Sequence, residues 1–207
     1  MKFFNMDSPV SRALTRLFDL VLLNILTMLC CIPIVTAGAS FTAMHYVLLH
    51  MVRNEEGYIA RSFFKAFRQN FRQATIVWLT VLPFLLIYAG IYVFFGRNAD
   101  GRITIAGIAV LAAAVVLFPF LLFLFPLLAR FETSIRQLYR NTVLLTFGNG
   151  KVSVLMVLAH LVFWYAIYKW LAYIAFLIPL LFFTLPGYLS AVLYTPVLKK
   201  YEPEEKE

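Results

Sequence analysis

The chain has 207 residues, of which 62% are hydrophobic and only 14% are charged. Because about 25% of the residues in a soluble domain are usually charged, this composition excludes an ordinary water-soluble domain and predicts a membrane protein. The formal net charge is +8, and the basic residues lie at the ends of apolar runs. We therefore interpret them as orientation signals and contacts to membrane lipids, and expect no nucleic-acid binding.

Long stretches without a charged side chain dominate the sequence. An α-helix of roughly 20 apolar residues crosses the hydrocarbon core of a bilayer. The pattern predicts an all-α fold, a polytopic transmembrane helical bundle that forms a single domain over residues 1–207. About six spans are expected, at residues 17–35, 39–52, 74–95, 103–129, 152–168 and 171–197.

The second run, residues 39–52, is short and carries His45 and His50, so a full crossing and a re-entrant arm are both open. If it crosses, both termini are cytoplasmic, and 15 of the 18 basic residues lie inside, leaving Arg97, Arg102 and Lys169 outside. The positive-inside rule favours this arrangement of six spans. The alternative is five spans and a re-entrant segment.

Two connections on the predicted cytoplasmic side, residues 58–72 and 131–142, have the pattern of amphipathic helices lying in the headgroup plane. Both contain the pattern Arg-Gln-x-aromatic-Arg, whose arginines are four residues apart and share a helix face. We predict that these arginines contact a lipid phosphate or a partner protein. The alternative is that they only orient the chain; they are Arg68, Arg72, Arg136 and Arg140.

The later spans contain prolines seven residues apart, a spacing of about two helical turns that bends a helix on one face. The pairs are Pro119 with Pro126 and Pro179 with Pro186. Bent or broken helices mark substrate sites in some transporters, although they are also common elsewhere. A small-solute permease or channel is therefore the alternative function.

Nothing in the sequence has the pattern of a catalytic or metal site, and we expect no enzymatic activity and no cofactor. His45 and His50 point to different sides of a helix, and His160 is alone in its span. We interpret all three as packed residues. Asn24, Thr27, Asn141 and Thr142 are candidates to donate hydrogen bonds between helices.

The chain resembles the YesL family of bacterial integral membrane proteins. The segments that carry the resemblance are Cys31–Ser40 (CIPIVTAGAS), Glu55–Ile59 (EEGYI), Phe63–Phe71 (FFKAFRQNF), Arg136-Gln137 with Gly148-Asn149, and Pro186-Gly187-Tyr188. The resemblance implies a location in the bacterial plasma membrane and an accessory or scaffold role in carbohydrate uptake or sensing. The implied partners are sugar transporter subunits or a sensor kinase. It implies no functional residues, because the family has no established activity.

Overall fold

The computed structural model describes residues 9–55, 57–96, 103–174 and 178–201. These ranges form a helical bundle, which confirms the predicted all-α class. A 3-10 turn, Ile34–Thr36, joins the first two α-helices. The helices are α1 Pro9–Cys31, α2 Ala37–Arg53, α3 Ile59–Phe95, α4 Ile105–Arg130, α5 Ile135–Gly148, α6 Gly150–Ile174, α7 Ile178–Leu181 and α8 Thr184–Lys199.

Five helical segments of the described chain are long and apolar enough to cross a membrane. They are Val10–Cys31, Ile34–Arg53, Ile59–Phe95, Ile105–Arg130 and Gly150–Trp170. The short run at residues 39–52 thus belongs to a helical segment of 20 residues. This length is sufficient for a crossing.

The predicted interfacial helix at residues 58–72 is not separate from the span that follows it. Both belong to α3, which has 37 residues and is therefore about 55 Å long. No proline or glycine interrupts α3 before Pro83, so nothing in the backbone forces a break between residues 72 and 74. The structure corrects the predicted boundary: the basic segment extends a helix that is much longer than a bilayer core of about 30 Å.

The last predicted span, residues 171–197, is also built differently from the expectation. Lys169 and Trp170, which lie between the predicted fifth and sixth spans, belong to α6, which continues to Ile174. The chain then forms the short α7 and the 16-residue α8, with a break at Phe182–Phe183. The structure therefore replaces one long helix by two shorter pieces.

The connection predicted as a helix at residues 131–142 begins as an extended segment. The Oγ of Ser134 caps α5 by accepting the N–H of Gln137 at 3.4 Å. The helix therefore begins at Ile135 and continues to Gly148. In contrast to the last span, α4 remains helical through both of its prolines.

Helix α2 lies at the centre of the bundle and is buried along most of its length. Small residues allow this close packing: a Cβ at Gly38 would lie 2.4 Å from the Cβ of Trp78 and 2.6 Å from the carbonyl oxygen of Ala74. Two hydrogen bonds connect the start of the helical segment Ile34–Arg53 to neighbouring helices. Ser40 donates to the carbonyl of Thr27 at 2.9 Å, and the Trp78 indole donates to the carbonyl of Ile34 at 2.8 Å.

The bundle has two ends of different character. At one end α1 and α3 begin and α2 and α4 end, and we call it the basic end. Two contacts bring these helices together there: Arg16 donates to Asn54, and Gln73 donates to the carbonyl of Thr133. The packed half is the half next to this end. In the opposite half, which we call the open half, α3 beyond Val81 and α4 before Pro119 expose most of their apolar side chains.

Candidate functional site

The four predicted arginines are all exposed at the basic end. Arg68 and Arg72 lie one turn apart on α3, and Arg136 and Arg140 lie one turn apart on α5. Within the described part of the chain, none of them has a hydrogen bond or ion pair. Their guanidinium groups are thus available to a lipid or a protein.

A cleft lies beside the part of α3 that carries Arg68 and Arg72 and beside the segment that leads into α5, and we call it the polar cleft. It has a volume of about 540 Å³ and is lined by α3, by Tyr46 of α2 and by the end of α4 with the segment that follows it. Gln73, directly after Arg72, donates to the backbone carbonyl of Thr133, three residues before Arg136. The Oγ1 of Thr133 is buried without a hydrogen-bond partner in the described residues. The cleft therefore offers polar groups next to two sources of positive charge.

Tyr139, the aromatic residue of the second Arg-Gln motif, fixes α5 against the spans. Its hydroxyl is hydrogen-bonded to Thr80 of α3, and its ring stacks on Phe120 of α4 with an interplanar angle of 5° and centroids 6.3 Å apart. The equivalent aromatic of the first motif, Phe71, is 40% exposed. The two motifs thus present arginines in different settings, one on α3 with an exposed aromatic residue and one on a helix whose aromatic residue packs against α3 and α4.

A second candidate site lies deeper, between α2, α4, α6 and the start of α8. We call it the inner cavity, and its volume is about 230 Å³. Aromatic rings supply much of its wall, including those of Phe41 and Trp164. Among the described residues that line it, the side chains with hydrogen-bonding groups are those of His45, His160, Ser190 and Trp164, and none carries a permanent charge.

The two histidines of the inner cavity come from different helices. His45 Nδ1 lies 3.0 Å from the hydroxyl of Tyr194, and His160 Nδ1 lies 3.0 Å from the backbone carbonyl of Met156. Ser190 is 1% exposed, and its Oγ is buried without a hydrogen-bond partner in the described chain. Sequence reasoning treated the histidines one span at a time and therefore missed their meeting in one cavity.

The break in the last span forms part of the wall of this cavity. Asn24 of α1 caps α8, because its Oδ1 accepts the backbone N–H groups of Phe183 at 2.9 Å and Thr184 at 3.2 Å. The Thr184 hydroxyl donates to the carbonyl of Leu20 at 3.0 Å. These bonds satisfy backbone groups that a break inside a membrane would otherwise leave unpaired. Asn24 thus makes interhelical hydrogen bonds, here as an acceptor and not as the predicted donor, whereas the hydroxyls of Thr27 and Thr142 donate within their own helices.

The fold and its apolar exterior define the class of this molecule: an α-helical protein with several helices able to span a membrane. The model of a family described as "Protein of unknown function, DUF624" matches residues 20–93, about a third of the chain. The matched part begins inside α1 and ends near the end of α3, so it contains the central helix α2 and its close contact at Gly38. Comparison with curated proteins and with solved structures gives no significant match.

Proposed function

We propose that this protein is a non-enzymatic accessory or scaffold component of a bacterial carbohydrate-uptake or sensing system. In this proposal it lies in the plasma membrane with the basic end in the cytoplasm, and a partner docks at the polar cleft. The partner is a sugar transporter subunit or a sensor kinase. The carbohydrate part of the proposal is supported by the resemblance to the YesL family.

The observation that carries the docking proposal is the two exposed arginine pairs, which have no partner among the described residues and lie on α3 and α5 next to the polar cleft. Exposed arginines bind carboxylates through two parallel N–H donors, which a lysine cannot reproduce. The exposed side chain of Gln69 in the cleft wall gives a docked segment a further hydrogen-bonding group. Glu132 also lines the cleft, but the four exposed arginines beside it outweigh this one negative charge, so an acidic segment of a partner fits the net charge of this surface.

The proposal is tested by affinity purification from the native membrane, with quantification of transporter subunits and kinases by mass spectrometry. The variants replace Arg68 and Arg72, or Arg136 and Arg140, by glutamine. Each contact to an acidic surface contributes on the order of 1 kcal/mol, and about 1.4 kcal/mol corresponds to a factor of ten. We expect each double variant to retain roughly tenfold less of the partner than the unaltered protein does.

A matched control replaces Lys199 and Lys200, which are also exposed, by glutamine and removes the same amount of charge. We expect this control to retain the partner. Arginine-to-lysine variants at the four positions separate geometry from charge, because they keep the charge and lose the paired donors. Unchanged retention in both Arg→Gln variants, with the protein still inserted, would show that these arginines only orient the chain. Absence of any transporter subunit or kinase would refute the accessory role itself.

The broken last span favours a second candidate function, a small-solute permease. Transporters often place their substrate at a discontinuous helix near the middle of the membrane, and the break at Phe182–Phe183 borders the inner cavity. Purified protein in liposomes should then give flux of a small solute without any partner. Flux that is equal in empty and protein-containing liposomes over a panel of sugars would remove this candidate.

A further inference from the structure

A second space lies next to the inner cavity and is bordered by many exposed apolar side chains. We call it the apolar groove: it lies between α3, α4 and α6 and has a volume of about 550 Å³. Among the described residues that line it, hydrogen-bonding groups are present on Tyr88, His160 and Trp164, and the other side chains are apolar. The residues that line both spaces are Phe118, Leu121, His160 and Trp164. The two spaces are thus adjacent, and His160 and Trp164 place hydrogen-bonding groups at the boundary between them.

The hydrogen-bonding groups of the inner cavity suit an uncharged, hydroxylated group. A carbonyl only accepts, so Nδ1 of His160 carries the proton that it donates to Met156, and Nε2 of the neutral ring is an acceptor. The Ser190 hydroxyl can donate and accept, and it has no partner in the described chain. A ligand hydroxyl can likewise donate and accept. By contrast, no charged side chain lines the cavity to compensate a charged ligand among the residues described, and an uncompensated charge is costly there.

The volume of the apolar groove is sufficient for a single alkyl chain. A methylene group occupies about as much space as a water molecule, roughly 30 Å³, so a chain of about ten to twelve carbons needs less than the volume of the groove. Each buried methylene contributes about 0.8 kcal/mol relative to water, although a chain drawn from a bilayer gains only from better packing. The polar head must therefore supply the selectivity.

We propose that the inner cavity and the apolar groove together bind one single-chain amphiphile with an uncharged, hydroxylated head. The head lies in the inner cavity, against His160 and Ser190, and the chain lies in the apolar groove. This site is independent of partner docking at the polar cleft, because it lies within the bundle and uses none of the four arginines.

The test uses the full chain in polymer nanodiscs and a dodecyl glucoside that carries a photoreactive diazirine in its alkyl chain. Labelled peptides are located by mass spectrometry, and we expect them in α3, α4 and α6. Unlabelled dodecyl glucoside or 1-dodecanoylglycerol should compete for the site, and the stronger competitor identifies whether a sugar or a glycerol head is preferred. Free glucose, and dodecyl sulfate with its charged head, should not compete.

Two matched pairs of variants separate the head from the chain. Ser190→Ala removes the unpartnered hydroxyl, and we expect about three- to tenfold weaker competition by dodecyl glucoside, as for the loss of one hydrogen bond. Its control is Ser153→Ala, a buried serine outside the cavity that donates within the protein to Thr146. Ala114→Phe fills the apolar groove, which Ala114 lines, and should weaken binding by roughly tenfold or more. Its control is Ala113→Phe, on the exposed side of the same helix.

Thermal unfolding and size-exclusion profiles establish that each variant is folded before it is compared. Equal competition by dodecyl sulfate and dodecyl glucoside would overturn the proposal, because the head would then not be recognised. Competition by free glucose as strong as that by dodecyl glucoside would overturn it in favour of a small-solute site. Unchanged binding in both Ser190→Ala and Ala114→Phe would overturn it as well. None of these results bears on whether the arginine variants lose a partner protein.

Discussion

The packed half and the open half of the bundle contain similar apolar sequences but bury them differently. In the packed half, α4 is buried over Phe123–Ala129. In the open half, the same helix exposes most of its apolar side chains, for example 88% of Ile105 and 58% of Val115. The difference shows that hydrophobicity alone does not decide which part of a membrane helix packs, because lipid is as apolar as a protein interior.

Small and polar residues distinguish the two halves. The packed half contains Gly38, Ser40 and Asn24, which permit close approach or make hydrogen bonds between helices. Among the described glycines of the open half, Gly107 at its tip approaches a neighbouring helix end closely, since an added Cβ would lie 2.3 Å from the carbonyl oxygen of Gly96. Between this tip and the packed half lies the apolar groove. Close packing of these helices thus depends on small residues and on hydrogen bonds between helices, as expected for a protein in a bilayer.

The largest expected effect is on the free energy of unfolding, and it distinguishes the packed half from the open half within α4. Leu124 is fully buried and Leu111 is 43% exposed, and both belong to α4. Leu124→Ala should lower the free energy of unfolding by about 2–5 kcal/mol through the cavity it leaves. Leu111→Ala should cost less than about 1 kcal/mol, because its side chain faces lipid before and after unfolding. Unfolding in mixed micelles with increasing SDS measures both values, and equal losses would show that the open half is as tightly packed as the other half.

A pair of glycines in helices gives the next largest contrast. Gly38→Ala places a methyl group 2.6 Å from the backbone oxygen of Ala74, which cannot move aside easily, so we expect a loss of about 1–3 kcal/mol. An added Cβ at Gly90, in the open half of α3, would have no atom of the described residues within 4 Å apart from its own neighbours in the helix. Gly90→Ala should therefore stabilise the helix by about 0.5–1 kcal/mol. In the same SDS titration we expect the two variants to change the free energy of unfolding in opposite directions. A stabilising Gly38→Ala would contradict the close contact between α2 and α3.

The smallest effect concerns the cap on α8. Asn24→Ala removes the acceptor of two backbone N–H groups, and loss of a helix cap costs about 0.5–2 kcal/mol. Asn70→Ala is the control, because the side chain of Asn70 donates to Ala66 within its own helix. Hydrogen exchange of the first residues of α8 should become faster in Asn24→Ala only. Identical exchange in both variants would show that the break needs no cap from α1.

Some features followed directly from local pattern. The charge-free runs predicted long apolar helices, and five such helices are present in the described chain. The arginines at intervals of four residues were expected to share exposed faces, and they are exposed. These predictions succeed because charge and helical periodicity act within a few residues, where the sequence itself contains the information.

Other features required contacts between distant residues. The boundary expected between residues 72 and 74 is absent because a helix continues wherever its backbone permits, even when its polarity changes within α3. The break near Phe182 forms where Asn24, 159 residues away, accepts the exposed N–H group. No sequence pattern near Phe182 indicates that the side chain of Asn24 lies beside it.

The sequence by itself therefore determined the membrane class, the helical content and the exposure of the four arginines, because each depends on local hydropathy and charge. Only the tertiary structure decided that α2 is the central helix, that His45 and His160 line the same cavity and that Ser190 beside them has no partner among the described residues. The physical reason is that a bilayer and a protein interior are equally apolar. Hydropathy cannot tell a lipid-facing side chain from a buried one, and the shapes and hydrogen bonds of residues far apart in the chain make that choice.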